Sequence, residues 1–100
     1  MKVLILSIEG VIYEGNSSSV KLPGSIGPFH ILNGHSTILA TLTFGLVVLY
    51  DTDKYAKIDK EKLKISQNYR KKKVSILEIK GGLVEANQKE VTVLVYCMYV

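Results

Sequence analysis

The residues able to do chemistry are few and poorly spaced for it. A nucleophile with its base would need Cys97 and one of His30 or His35. Cys97 sits near the chain end in an apolar run, and apolar surroundings leave a thiol protonated and inert. It reads as a small buried hydrophobe. His30 and His35 are too few to hold a metal, and no carboxylate lies between Leu22 and Tyr50. Both read as packing or turn histidines. Glu9, Glu14, Glu85 and Glu90 fall at turns or strand ends, not as a facing pair for acid–base work. Gly81-Gly82 reads as a turn rather than a phosphate cradle, and there is no Walker loop. No catalytic residue, metal or cofactor is expected.

The elements that would position any site are strands. The chain has 100 residues, the length of one compact domain, and 47% of them are hydrophobic, enough for a modest core. A single cysteine excludes a disulfide framework or a multi-cysteine zinc site. The apolar pieces are short, β-branched and separated by turn residues, the pattern of an all-β sandwich. Strands are expected at Lys2–Ser7, Val11–Glu14, Ser19–Leu22, Phe29–Leu32, Leu46–Tyr50, Val74–Lys80, Leu83–Ala86 and Val91–Tyr96. Glu9-Gly10 and Gly15-Asn16 are turn signals between the first three. Ser36–Leu42 fits either a strand or two turns of helix. In the last strand Val91, Val93, Val95 and Cys97 share one face, and Thr92, Leu94 and Tyr96 the other. Both faces are largely apolar, so the strand is expected to be covered twice or to meet a partner.

Charge is unevenly placed. The net charge is +4, yet Asp51–Lys73 alone holds nine basic and four acidic residues, a net of +5. The remainder is slightly acidic, which argues against nucleic-acid binding across the fold. Tyr55 and Ile58 have helical spacing, while Leu63, Ile65, Gln67 and Tyr69 alternate like an exposed strand. A mobile hairpin or short helix is expected there. Leu22–Tyr50 contains no charge at all. It is no membrane span, because Pro23, Pro28 and four glycines break it and its longest apolar piece is Ile38–Phe44, far below the ~20 residues required. An uncharged surface stretch of this kind is a candidate contact surface.

Two segments carry a resemblance. Leu22-Pro23-Gly24-Ser25-Ile26-Gly27-Pro28-Phe29 runs on through Leu32-Asn33-Gly34-His35, Ile38–Leu42 and Gly45. Later come Gly81-Gly82-Leu83-Val84-Glu85 and Val91-Thr92-Val93-Leu94, and early Glu9–Gly15 fits the same pattern. In order and spacing these resemble the amino-terminal domain of the epsilon subunit of bacterial F-type ATP synthase. The resemblance implies a β-sandwich of about ten short strands over residues 1–100, with a basic insertion at about 51–73. It implies a non-catalytic subunit of the central-stalk rotor, coupling c-ring rotation to the gamma subunit and catalytic head in proton-driven ATP synthesis. Such a subunit lies peripherally on the cytoplasmic face of the bacterial inner membrane, not inserted, with no nucleic-acid partner. Ser25, Ile26, Gly27, Pro28 and Phe29 match the family's c-ring-facing loop, and His35 and Ala40 match positions beside gamma.

Three departures bear on that expectation. Ile26 and Pro28 stand where family members often carry acids, which implies an apolar, shape-based contact. Asn33 replaces a proline. The link between Gly45 and Gly81 is unusually long. No amphipathic helical segment follows Val95, so the likeness is to short forms lacking the family's carboxy-terminal helical hairpin. Asp51–Lys73 is expected to be peripheral, with Lys54–Lys72 replaceable by a two-residue turn. Its expected role is a salt-sensitive contact with acidic headgroups or with an acidic neighbouring subunit. The competing reading is a free-standing β-sandwich that binds an acidic partner through that insertion. A cysteine hydrolase using Cys97 and His35 is the remaining alternative.

Overall fold

Period-two alternation of apolar residues does become strands, in a computed structural model that describes residues 1–52, 56–67 and 73–98. They are β1 Lys2–Ser7, β2 Gly10–Asn16, β3 Ser19–Leu22, β4 Phe29–Leu32, β5 Ile38–Leu42, β6 Gly45–Tyr50, β7 Lys57–Ile58, β8 Lys64–Gln67, β9 Lys73–Ala86 and β10 Glu90–Met98. Ser36–Leu42 resolves toward strand, because Ile38–Leu42 pairs with Ala86–Gly82 of β9. The turn expected at Gly15-Asn16 comes later, since β2 runs on through Asn16.

The Gly81-Gly82 turn is not there. β9 is one strand of 14 residues that passes straight through both glycines. Its first half, Val74–Ile76, is sandwiched between β6 and β8. Its second half, Gly82–Ala86, lies between β5 and β10. One strand thereby serves two layers, β4-β3-β6-β9-β8 and β5-β9-β10-β1-β2-β7. Where β10 meets the glycines its register shifts at Val95, Cys97 and Met98. Such irregularities bend and twist a strand. A Cβ on Gly82 would lie 2.5 Å from the Leu94 carbonyl oxygen, so only glycine permits this approach.

The layers bury one shared core. Val3, Ile5, Ile12, Val91 and Val93 come from one layer, and Val20, Ile31, Val47, Leu49 and Leu77 from the other. Burying each such side chain is worth about 1.5–3 kcal/mol, which makes alternation the main determinant of register. On β10, Val91, Val93 and Val95 are buried as expected, but Leu94 and Tyr96 on the opposite face stand exposed.

Asp51–Lys73 is less peripheral than its charge suggests. Lys57-Ile58 adds to β2, and Lys64–Gln67 adds to β9, so the described part of the segment straps one side of the sandwich from layer to layer. The Asp59 carbonyl accepts the Lys62 and Leu63 amides and the Asp59 amide donates to Ile12, forming the turn between them. That turn drives Leu63 into the core at 2% exposure. Nearby, the Ser75 hydroxyl bonds the Thr52 hydroxyl at 3.2 Å beneath the surface. Lys62 reaches Glu9 at 3.4 Å, a surface pair of small worth. The helical spacing of Tyr55 and Ile58 does not produce a helix at Ile58, which lies in β7, while Tyr55 and Tyr69 lie outside the described residues.

Two outcomes follow in urea denaturation. Leu63→Ala is expected to lower stability by about 2–5 kcal/mol, the cost of a core cavity, so replacing Lys54–Lys72 by a tight turn is now expected to destabilise the fold. Gly82→Ala is expected to cost about 1–3 kcal/mol through overpacking against β10.

Candidate functional site

The uncharged stretch folds into a braced loop between β3 and β4. The Gly27 amide donates to the Gly24 carbonyl at 3.0 Å, closing a turn with Ser25 and Ile26 at its centre. Gly27 adopts φ +149°, which side-chain-bearing residues rarely accept. The loop is tied to β5 and the residue beyond it by two main-chain bonds, Ser25 amide to Thr41 carbonyl at 3.0 Å and Thr43 amide to Pro23 carbonyl at 2.8 Å. The Thr41 hydroxyl adds a bond to the Ser25 hydroxyl at 2.9 Å. Gly24 is buried under the loop. A Cβ there would meet the Gly27 carbonyl oxygen at 2.5 Å and the Phe29 ring at 2.7 Å.

The side chains divide accordingly. Ile26 is fully exposed at the tip, flanked by exposed Ser25, Gly27 and Pro28. Phe29 is half-buried and packs against the core, so it roots the loop more than it presents a surface. Behind the loop an open groove of about 280 Å³ is lined by Lys21, Leu22, Pro23, Pro28, Leu46 and Val48. It is mostly apolar and holds no convergent polar groups of the kind a catalytic pocket needs.

Strand register puts further tips at the same end. Ser7 pairs Val95, Val95 pairs Gly82, Gly82 pairs Leu42, and Leu42 bridges Gly24. The β1–β2 turn with Ile8 and the β5–β6 turn with Phe44 therefore share the end with Ile26. Ile8 is 97% exposed and Phe44 62%. The sequence signal for both was available, a single large apolar residue lodged in a turn, but alone it is common on any surface.

His35 is exposed in the β4–β5 link, its ring Nδ1 3.1 Å from the Ser36 carbonyl oxygen. Ala40 is half-buried and packs against the core, while its neighbours Leu39 and Thr41 hold the exposed positions of β5. His30 bonds the Ser19 hydroxyl at 3.1 Å and stacks beside Tyr50 at 5.2 Å. The two histidines are thus engaged separately, and no cluster of three potential metal ligands occurs among the described residues. The Cys97 side chain lies outside what the structure describes. Of the basic run 70–73, only Lys73 is described. It pairs Gln67, and the adjoining row Val74, Tyr50, Ser19 marks the end of the sandwich opposite Ile26.

Residues 1–68 match the family described as the ATP synthase delta/epsilon chain β-sandwich domain. The chain belongs to that family. This delta/epsilon-type sandwich is 36% identical over 95 residues to the ATP synthase epsilon chain of Sulfurimonas denitrificans, covering 95% of this chain and 59% of that one. It is 28% identical over 94 residues to the epsilon chain of Leptospira interrogans serovar Lai, covering 94% and 59%. The chain spans about three fifths of the length of these curated relatives. Among solved structures, a chain of the Tetrahymena thermophila mitochondrial ATP synthase central stalk and c-ring shares the fold at TM-score 0.60 and 14% identity, covering 99% of this chain and 65% of that one.

The braced loop predicts a separable pair of variants. Ile26→Asp is expected to leave stability within about 0.5 kcal/mol, as an exposed tip should. Phe29→Asp is expected to cost at least about 2 kcal/mol, because it places a charge against the core. Thermal unfolding of the two variants distinguishes tip from root.

Proposed function

We propose that this chain is a non-catalytic central-stalk subunit of F-type ATP synthase, coupling rotation of the c-ring to the gamma subunit and catalytic head during proton-driven synthesis. The observation that carries the reading is a rigid, uncharged loop with Ile26 at its tip, in a chain of the delta/epsilon family. The loop end, Ser25 to Phe29, is assigned to the c-ring, with Ile8 and Phe44 beside it. The uncharged link and edge around His35 and Ala40 are assigned to gamma. An apolar tip seats by shape and by exclusion of water rather than by ion pairing. No helix among the described residues is long and apolar enough to cross a membrane, and the subunit is assigned to the cytoplasmic face as a peripheral component.

This orientation bears on the basic run. Lys73 stands at the end opposite Ile26, so a loop facing the c-ring turns Lys73 away from the headgroups. Contact between Lys73 and lipid does not go with this reading. The alternative of a free-standing module that binds an acidic partner gains nothing from family membership.

The test is Ile26→Asp in the assembled enzyme. Burying an unpaired carboxylate at the c-ring costs several kcal/mol, so proton pumping is expected to fall by about tenfold or more while ATP hydrolysis by the detached head is retained. A fully coupled enzyme carrying Ile26→Asp removes this loop from the interface.

A further inference from the structure

The four outer strands of the sandwich are not alike. On one side β7 is two residues long and carries Lys57, and β8 carries Lys64. Short edges and lysines are the ordinary protection against unwanted strand pairing. On the other side β4 and β5 carry no charge, no proline and no bulge, and Leu32 and Leu39 are 57% and 70% exposed.

Hydrogen-bond direction shows which backbone groups of β5 are open. The Thr41 carbonyl turns away from β9, because it accepts the Ser25 amide. Main-chain groups alternate in direction along a strand, so Ile38, Ala40 and Leu42 bond β9 while Leu39 and Thr41 face outward. Pro23–Ser25 fills the Leu42 end of that outer edge. Beside Leu39, β5 has no strand partner on that side among the described residues.

We propose that the outer edge of β5 at Leu39 receives an extended, uncharged segment of the gamma subunit by strand addition, in line with Pro23–Ser25. The open N–H and C=O of Leu39 specify an extended backbone as the occupant, and the exposed Leu39 side chain anchors an apolar residue of that segment. The edge carries no charge to meet an ionic partner. The inference rests on the stalk reading and adds to it the mode of contact.

Leu39→Pro deletes the outward N–H and spares the β9 ladder, and an edge strand accepts proline. With the full chain and the gamma subunit of the same enzyme, Leu39→Pro is expected to weaken binding by about tenfold or more. Leu39→Val keeps the N–H and is expected to bind within about threefold of the original. Amide exchange on the unaltered chain decides the matter should Leu39→Pro fail to fold. The Leu39 amide is expected to exchange at least about tenfold more slowly in the complex. An unchanged Leu39 exchange rate, or a folded Leu39→Pro chain that binds gamma normally, overturns strand addition and leaves the stalk reading standing. An unaltered chain that does not bind gamma overturns both.

Discussion

β9 has to satisfy two layers with one backbone, and the other elements arrange themselves around that demand. Its first half faces β6 and β8, its second half β5 and β10. A strand that changes layers must bend, and the bend needs a place where a neighbouring backbone can come unusually close. Gly82 under the Leu94 carbonyl is that place. A Cβ there would push β10 off and carry Val93 and Val95 out of the core with it. The register of β5 on β9 then fixes Leu42, which fixes the bridge to Gly24 and so the root of the β3–β4 loop. A packing constraint at the centre thereby positions an exposed loop at one end.

The segment 51–73 finds its structural meaning in the same scheme. A sandwich has edges, and an edge is a row of unsatisfied backbone groups. β7 and β8 cover the flanks of β2 and β9, and Leu63 plugs the gap between the layers. The net charge of this segment belongs to the solvated side of a strap whose inner side is apolar. Charge is consequently partitioned across the molecule, with lysines on the strapped side and none along β4 and β5.

Much of this was legible in the sequence, wherever a residue's own alternation decided its fate. β1, β3 and β4 fall where Val3 and Ile5, Val20 and Leu22, and Ile31 require them. The loop from Ser25 to Phe29 was legible through its motif. What was not legible depended on neighbours distant in sequence. Ile38, Leu39 and Leu42 fit a helical face until β9 supplies a ladder. Gly81-Gly82 is turn chemistry in isolation, and only the approach of β10 makes it strand chemistry. Leu63 sits between Lys62 and Lys64, so nothing local marks it as core. The half-buried role of Phe29 depends on Gly24 lying beneath its ring, a contact no linear pattern announces.

The two main-chain bonds between Pro23–Ser25 and Thr41–Thr43 have a mechanical meaning as well as a structural one. A pull on Ile26 along the direction of β5 loads both bonds together, in shear, and they share the force. A pull across the sheet loads them one after the other, like a zipper, and they yield in turn. The loop is therefore stiff in one direction and compliant in the other. Strain applied at the tip travels along β5 into β9, where it divides between both layers instead of concentrating in either.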